Sequence, residues 1–302
     1  MSFDYGEDMS TQTCTVSDVT LSVEVTGPRD GILAVALHGF PDSWRTYDSL
    51  REVLHERGFR VATPAMRGFY PSSVSPSGAY GVPSLANDAN QIHEQLGGDS
   101  RAVLIGHDWG AAAVYPALAA APERWTRGVA MAVPPLMSMA AAFSNYVQLQ
   151  HSWYMFYFQQ PNAEFVVSAN DYSFIGDLWR DWSPNLADPA ALESAKAGLR
   201  PDGHLTAALG YYRSMFGNGT GVDESHLDTF PAVFSVPPQP VLYIHADDDG
   251  CIAGETIGNP LDFLSPESQF VSVPDAGHFM HLERPDYVNA LITDFLGSSP
   301  GK

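Results

Sequence analysis

Hydrophobic positions along the chain follow two rhythms. In the first part, short apolar runs alternate with segments whose apolar residues recur every three or four positions. Residues 13–25 predict one or two strands of an opening hairpin. Ile32–Leu37 is a continuous apolar run between Gly31 and Gly39, the pattern of a strand buried on both faces. Residues 44–57 predict a helix that Gly58 ends, and residues 59–63 another strand. Leu85, Ala89, Ile92 and Leu96 share one helix face, and Gly97-Gly98 stops that helix. A strand over 101–105, a small-residue helix over 110–121 and a strand over 128–133 follow, closed by Pro134-Pro135.

The second rhythm begins there. From about 135 to 231 no strand run alternates with the helices, and aromatics cluster instead, among them Trp153, Tyr154, Tyr157, Trp179, Trp182, Tyr211 and Tyr212. The strand-helix alternation returns at 241–245 and 270–273, with a last helix near 285–296. Such alternation predicts an α/β architecture, a mostly parallel sheet flanked by helices. The aromatic stretch reads as a helical insertion of roughly 95 residues. The expected organisation is a core of 1–134 and 232–302 carrying a helical cap of 135–231. Ligands of such sheets bind beyond the carboxyl ends of the strands, where a cap encloses a pocket and excludes water.

Charge narrows the partners. With 35 acidic and 15 basic residues the formal charge is −20, which argues against nucleic acid and against anionic membranes. No apolar run approaches the roughly 18 residues of a membrane span. Two cysteines in 302 residues, Cys14 and Cys251, suggest reduced thiols and a cytoplasmic setting. The first ten residues are acidic without an apolar core, so no secretory leader is expected, and Asn218-Gly219-Thr220 is read as a chance sequon. No Cys/His metal spacing occurs, and neither metal nor organic cofactor is expected. A homodimer would leave no signature readable here.

The chemistry concentrates at Gly106-His107-Asp108-Trp109-Gly110. An apolar strand runs into a Gly-x-x-x-Gly corner and a small-residue helix leaves it, the pattern of a nucleophile elbow. At the apex, where serine esterases place Ser, stands Asp108. A carboxylate is a nucleophile without deprotonation and suits attack on saturated carbon. The ester so formed needs a base to activate water, and His278 follows a strand in the loop Pro274-Asp275-Ala276-Gly277, with His281 the nearest rival. The base needs an orienting carboxylate, expected after strand 241–245 in Asp247-Asp248-Asp249. Register favours Asp249, with Asp248 the fallback. One strand earlier, Val133-Pro134-Pro135 offers no carboxylate. The oxyanion donors are expected to be the backbone amides of Trp109 and of Phe40 in His38-Gly39-Phe40-Pro41. His38 and His107 are read as structural.

These residues resemble the α/β-hydrolase superfamily and, within it, the epoxide hydrolases, over nearly the whole chain. The resemblance rests on His38-Gly39-Phe40-Pro41, Arg67-Gly68-Phe69, the Asp108 elbow, Asp249 and Gly277-His278-Phe279. The segments 153–161 and Gly210-Tyr211-Tyr212-Arg213 look like the family's two lid-tyrosine segments. The resemblance thereby implies Tyr154 and Tyr212 as the hydroxyls that assist departure of the epoxide oxygen, with Tyr211 the alternative in the doublet. Residue 65 departs from the family's acidic residue, being Ala.

The implied reaction takes a small apolar epoxide and water to a vicinal diol through a hydroxyalkyl ester on Asp108. A haloalkane dehalogenase would use the same Asp-His-Asp set, but usually has Asn where Phe40 stands and lacks the paired lid tyrosines. Fluoroacetate dehalogenases carry arginines where this chain has Trp109 and Ala113. A catalytically silent scaffold would be expected to have lost at least one of these groups, and none is missing.

Overall fold

A computed structural model describes residues 10–217 and 229–297. Residues 1–9 and the sequon at Asn218 lie outside the described residues. Eight strands form one sheet: β1 (Ser10–Val16), β2 (Val19–Thr26), β3 (Ile32–Leu37), β4 (Phe59–Pro64), β5 (Val103–His107), β6 (Arg127–Met131), β7 (Val241–Ala246) and β8 (Gln269–Val273). Their order is β1-β2-β4-β3-β5-β6-β7-β8. The hairpin β1-β2 and the pair β2-β4 are antiparallel, and every pair from β4 to β8 is parallel. The expected mostly parallel sheet is therefore present.

Strand alternation divides the core in two. Leu33, Val35, Leu37 and Leu104 face one side of the sheet, where helices α2 (Val82–Gln95) and α3 (Trp109–Ala120) pack. Ala34, Ala36, Val103 and Ile105 face the other, against α1 (Asp48–Glu56) and the C-terminal helix 285–296. All six residues of β3 are buried, as its unbroken apolar run requires. Each Leu, Val or Ile so buried is worth roughly 1.5–3 kcal/mol over its exposed state.

Of the boundaries that differ from the sequence pattern, such as β5 at Val103–His107 against 101–105, two have a clear local reason. The segment 44–57 opens as a 3-10 turn, Trp44–Tyr47, before α1 begins. There Tyr47 is buried and its hydroxyl donates to the Leu37 carbonyl (2.7 Å). Strand β6 stops at Met131 because Ala132 takes a left-handed φ of 69° and sends its N–H to the Ile244 carbonyl (2.9 Å).

Between β6 and β7 the described residues add helices and no strand: α4 (Leu136–Ala142), α5 (Tyr146–His151), α6 (Trp153–Tyr157), α7 (Ala163–Trp182), α8 (Pro189–Leu199) and α9 (His204–Met215). Short helix α10 (Met280–Glu283) precedes α11 (Pro285–Leu296). No helix among the described residues is long and apolar enough to cross a membrane.

Candidate active site

The loops after β3, β5, β7 and β8 converge at the carboxyl edge of the sheet. After β5 the chain turns sharply into α3, with Asp108 at the apex in a strained conformation (φ 53°, ψ −119°). The turn closes only with glycines at its corners. A Cβ on Gly110 would lie 2.0 Å from the Leu37 carbonyl oxygen, and one on Gly106 would lie 2.3 Å from the Gly110 backbone. The Asp108 amide donates to the Met131 carbonyl (3.2 Å), and its carbonyl accepts from Ala112 (2.9 Å). The backbone at the apex is thus held by β6 on one side and by the first turn of α3 on the other.

The loop after β3 meets it. The Phe40 N–H donates to Asp108 Oδ1 at 2.7 Å. Gly39 lies against the carboxylate so closely that a Cβ there would sit 2.3 Å from Asp108 Cβ. The Met66 N–H donates to His38 Nε2 (3.0 Å), so Nε2 is the acceptor and Nδ1–H donates to the Gly39 carbonyl (2.9 Å). Burial pulls the His38 pKa down to about 4, which keeps this neutral tautomer. Trp109 is the first residue of α3, where a helix leaves its amide without an intrahelical acceptor.

After β7, Asp249 is buried while Asp247 and Asp248 are exposed. Asp249 Oδ1 accepts from the amides of Cys251 (2.8 Å) and Ile252 (2.9 Å), and the carboxylate receives His278 Nδ1 at 3.1 and 3.2 Å. Burial works to raise this carboxyl, but the facing His278 and these donors hold it below its ordinary value. His278 Nε2 points at Asp108 Oδ2, 3.6 Å away, and makes no hydrogen bond among the described residues. Burial works to lower the imidazole, yet its two carboxylate neighbours, Asp249 foremost, push it up to about 10. His281 is turned elsewhere: its Nε2 pairs with Thr46 Oγ1 at 2.5 Å. His107 Nε2–H donates to the His278 carbonyl (2.9 Å).

A cavity of about 460 Å³ opens over Asp108. Its wall is almost wholly apolar, with Leu136, Met139, Phe143, Met155, Met215 and Phe234 among the lining residues. Both residues of the tyrosine doublet line it, in different states. The Tyr211 hydroxyl donates to the Arg67 carbonyl (2.7 Å). Tyr212 is fully buried, stacks edge-on against Trp109, Phe40 and Tyr154, and its hydroxyl has no hydrogen-bond partner among the described residues. Tyr154 is equally buried, its hydroxyl 3.3 Å from Cys251 Sγ. Arg67 lies beneath, fully buried and bidentate to Asp88 (2.6 Å from both Nε and Nη2).

Three contributors have no local sequence signal strong enough to find them. Trp182, at the end of α7, accepts the His278 amide on its carbonyl (2.9 Å) and sets its ring 5.2 Å from the imidazole. Cys251 lines the cavity two residues after Asp249. Asp42 is buried beside His107 (3.9 Å), and burial raises its carboxyl to about 7. The proximity of Asp42 to His38-Gly39-Phe40-Pro41 is the one hint the sequence held.

Residues 35–285 match the family described as alpha/beta hydrolase fold. The chain is 29% identical over 288 residues to the AB hydrolase superfamily protein YfhM of Bacillus subtilis (strain 168), covering 92% of this chain and 94% of that protein. It is 28% identical over 296 residues to epoxide hydrolase 3 of Xenopus tropicalis, covering 93% of this chain and 75% of that one. Among solved structures, it superposes on the Bacillus megaterium epoxide hydrolase in complex with an inhibitor with a TM-score of 0.79 at 25% identity, covering 94% of this chain and 99% of that one. Epoxide hydrolase A of Mycobacterium thermoresistibile shares the fold with a TM-score of 0.80 at 23% identity, covering 95% of this chain and 98% of that one. With the elbow after β5, the Asp-His pair after β7 and β8, and a family match over most of its length, this chain belongs to the alpha/beta hydrolase fold family.

Proposed function

We propose that the protein is an epoxide hydrolase acting on small apolar epoxides, with Asp108, His278 and Asp249 as its triad, Tyr154 and Tyr212 as ring-opening acids, and 135–231 as its cap. The observation that carries this reading is the Tyr212 hydroxyl, a buried donor beside Trp109 and Tyr154 that completes no hydrogen bond among the described residues and stands in an apolar cavity that Asp108 also lines. An unsatisfied buried hydroxyl costs about 1–3 kcal/mol. That cost is recovered when an oxygen arrives with the substrate. The names of the relatives point the same way.

The two oxygens of Asp108 have different surroundings, and so different tasks. Oδ1 is held by the Phe40 amide, while Oδ2 is the oxygen 3.6 Å from His278. Oδ2 attacks an epoxide carbon, the C–O bond breaks, and the ring oxygen takes its proton from a tyrosine. Oδ1 is then the ester carbonyl, already held by the Phe40 amide. Water attacks Cγ and gives one proton to His278 while the Phe40 and Trp109 amides hold the charge; His278 passes that proton to Oδ2 as the diol departs with it, and the second water proton, shed by the regenerated Asp108 carboxyl, restores the tyrosine. Alkylation also neutralises Asp108, which removes one of the two charges that raise His278 and readies it as a base.

A single turnover in ¹⁸O-water tests this. The first diol released carries no label and Asp108 acquires it. A labelled diol would mean direct attack of water and end the proposal. Release of bromide from a bromoalkane, with no reaction of an epoxide, would make the enzyme a dehalogenase.

A further inference from the structure

Cys251 has no part in the mechanism above, yet its thiol lines the cavity and is 3.3 Å from the Tyr154 hydroxyl. Its backbone is pinned from two directions. The amide donates to Asp249 Oδ1 (2.8 Å), and the carbonyl accepts from Gln148 Nε2 on α5 (3.1 Å). Gln148 Oε1 in turn accepts the Ala253 amide (2.9 Å). The loop Asp249-Gly250-Cys251 therefore ties the carboxylate behind His278 to the hydroxyl of a lid tyrosine. Nearby are two further buried polar atoms with no hydrogen bond among the described residues, Tyr212 Oη and His278 Nε2. The Tyr154 hydroxyl has the thiol as a partner before substrate arrives.

We propose that Cys251 is a positioning residue for ring opening, its S–H donating to the Tyr154 hydroxyl oxygen so that the tyrosine's own proton is free to meet the epoxide oxygen. The inference rests on the epoxide hydrolase reading. A thiol is a weak donor, so the bond restrains Tyr154 little in the resting protein. As the phenol gives up its proton its oxygen gains negative charge, and the S–H contact strengthens in the transition state more than in the ground state. Asp108 attack should therefore feel the thiol, and ester hydrolysis should not.

The test is a double-mutant cycle read on single-turnover alkylation of Asp108 by an aryl epoxide. Cys251→Val loses the donor and adds volume, Cys251→Ala loses the donor and volume, so that an equal effect of the two reports the donor, and Cys251→Ser replaces the thiol with a stronger donor. Val and Ala are expected to slow alkylation alike, by about three- to tenfold, as for a lost hydrogen bond. Ser restores the rate, and decay of preformed ester is unchanged in all three. In a Tyr154→Phe background the Cys251 substitutions have no further effect. Slowing by Ala but not Val, or equal slowing in the Tyr154→Phe background, would show packing and overturn the proposal. So would wild-type rates in Val and Ala. If the wild-type protein forms no ester at all, the epoxide hydrolase reading fails and this inference with it; a normal ester with an additive cycle sinks this inference alone.

Discussion

Gly39→Ala probes the arrangement at its tightest point. The added Cβ would stand 2.3 Å from Asp108 Cβ, 2.4 Å from Oδ1 and 2.8 Å from Cγ. Non-bonded carbons prefer about 3.5–4.0 Å, so the pair must part by more than about 1 Å. Asp108 cannot yield by rotation alone, because the clash includes its Cβ and its backbone is fixed at φ 53° by the elbow. The loop after β3 must move instead, and with it the Phe40 amide now 2.7 Å from Oδ1. A catalytic group misplaced by about 1 Å costs about 10²-fold, and a lost oxyanion donor about 10²–10³-fold. Both estimates meet near a hundredfold. Rapid-quench kinetics with an aryl epoxide should show decay of the Asp108 ester slowed by about that factor, with a folded protein by thermal melting. Ester decay within threefold of wild type in a folded Gly39→Ala protein would refute the assignment of Phe40 as an oxyanion donor.

Further expectations follow from the same contacts. Tyr212→Phe should slow ring opening by about a hundredfold and hardly change stability, whereas Tyr211→Phe, which orphans the Arg67 carbonyl, should cost about 1–3 kcal/mol in urea unfolding and leave ring opening nearly intact. Equal kinetic effects of the two would undo the distinction drawn within the doublet. Asp88→Ala leaves the fully buried Arg67 guanidinium without its bidentate partner and should destabilise the fold by about 3–5 kcal/mol, measured by the same unfolding titration. His278 sits at about 10 against an ordinary 6.5, so the stability it contributes is full below pH 6.5 and lost as pH rises to about 10. Asp108→Asn removes one of the charges that hold that proton, and its melting temperature should fall less steeply across this window; parallel curves would argue against the coupling.

The core of the fold is legible because its strands are buried on both faces. Ile32–Leu37 is a continuous apolar segment, and Val103–His107 and Val241–Ala246 are apolar but for one histidine each, the pattern of strands buried on both faces. The order of strands is not legible, since β4 slips between β2 and β3 through long-range pairing that leaves no local mark. At the site, Asp108 and His278 stand out because elbow and loop geometry need glycines nearby. The choice of Asp249 over Asp248 turns on which carboxylate faces inward, a matter of one residue of register. Tyr211 and Tyr212 are indistinguishable in sequence, being adjacent and both buried. They part only because the loop of Arg67 offers a carbonyl to one and not the other. Cys251 and Trp182 meet the site across distances of chain that no motif spans.

The central claim is that Asp108 becomes covalently attached to the substrate carbon. Intact-mass measurement of His278→Gln protein exposed to an aryl epoxide tests it most directly, since the base for the second half is gone while the nucleophile remains. The account predicts a gain equal to the whole mass of the epoxide, located on the peptide of Asp108 and absent from the His278→Gln/Asp108→Ala double variant. An unchanged mass in protein that is folded and still contains Asp108, or an adduct that survives loss of Asp108, would contradict it.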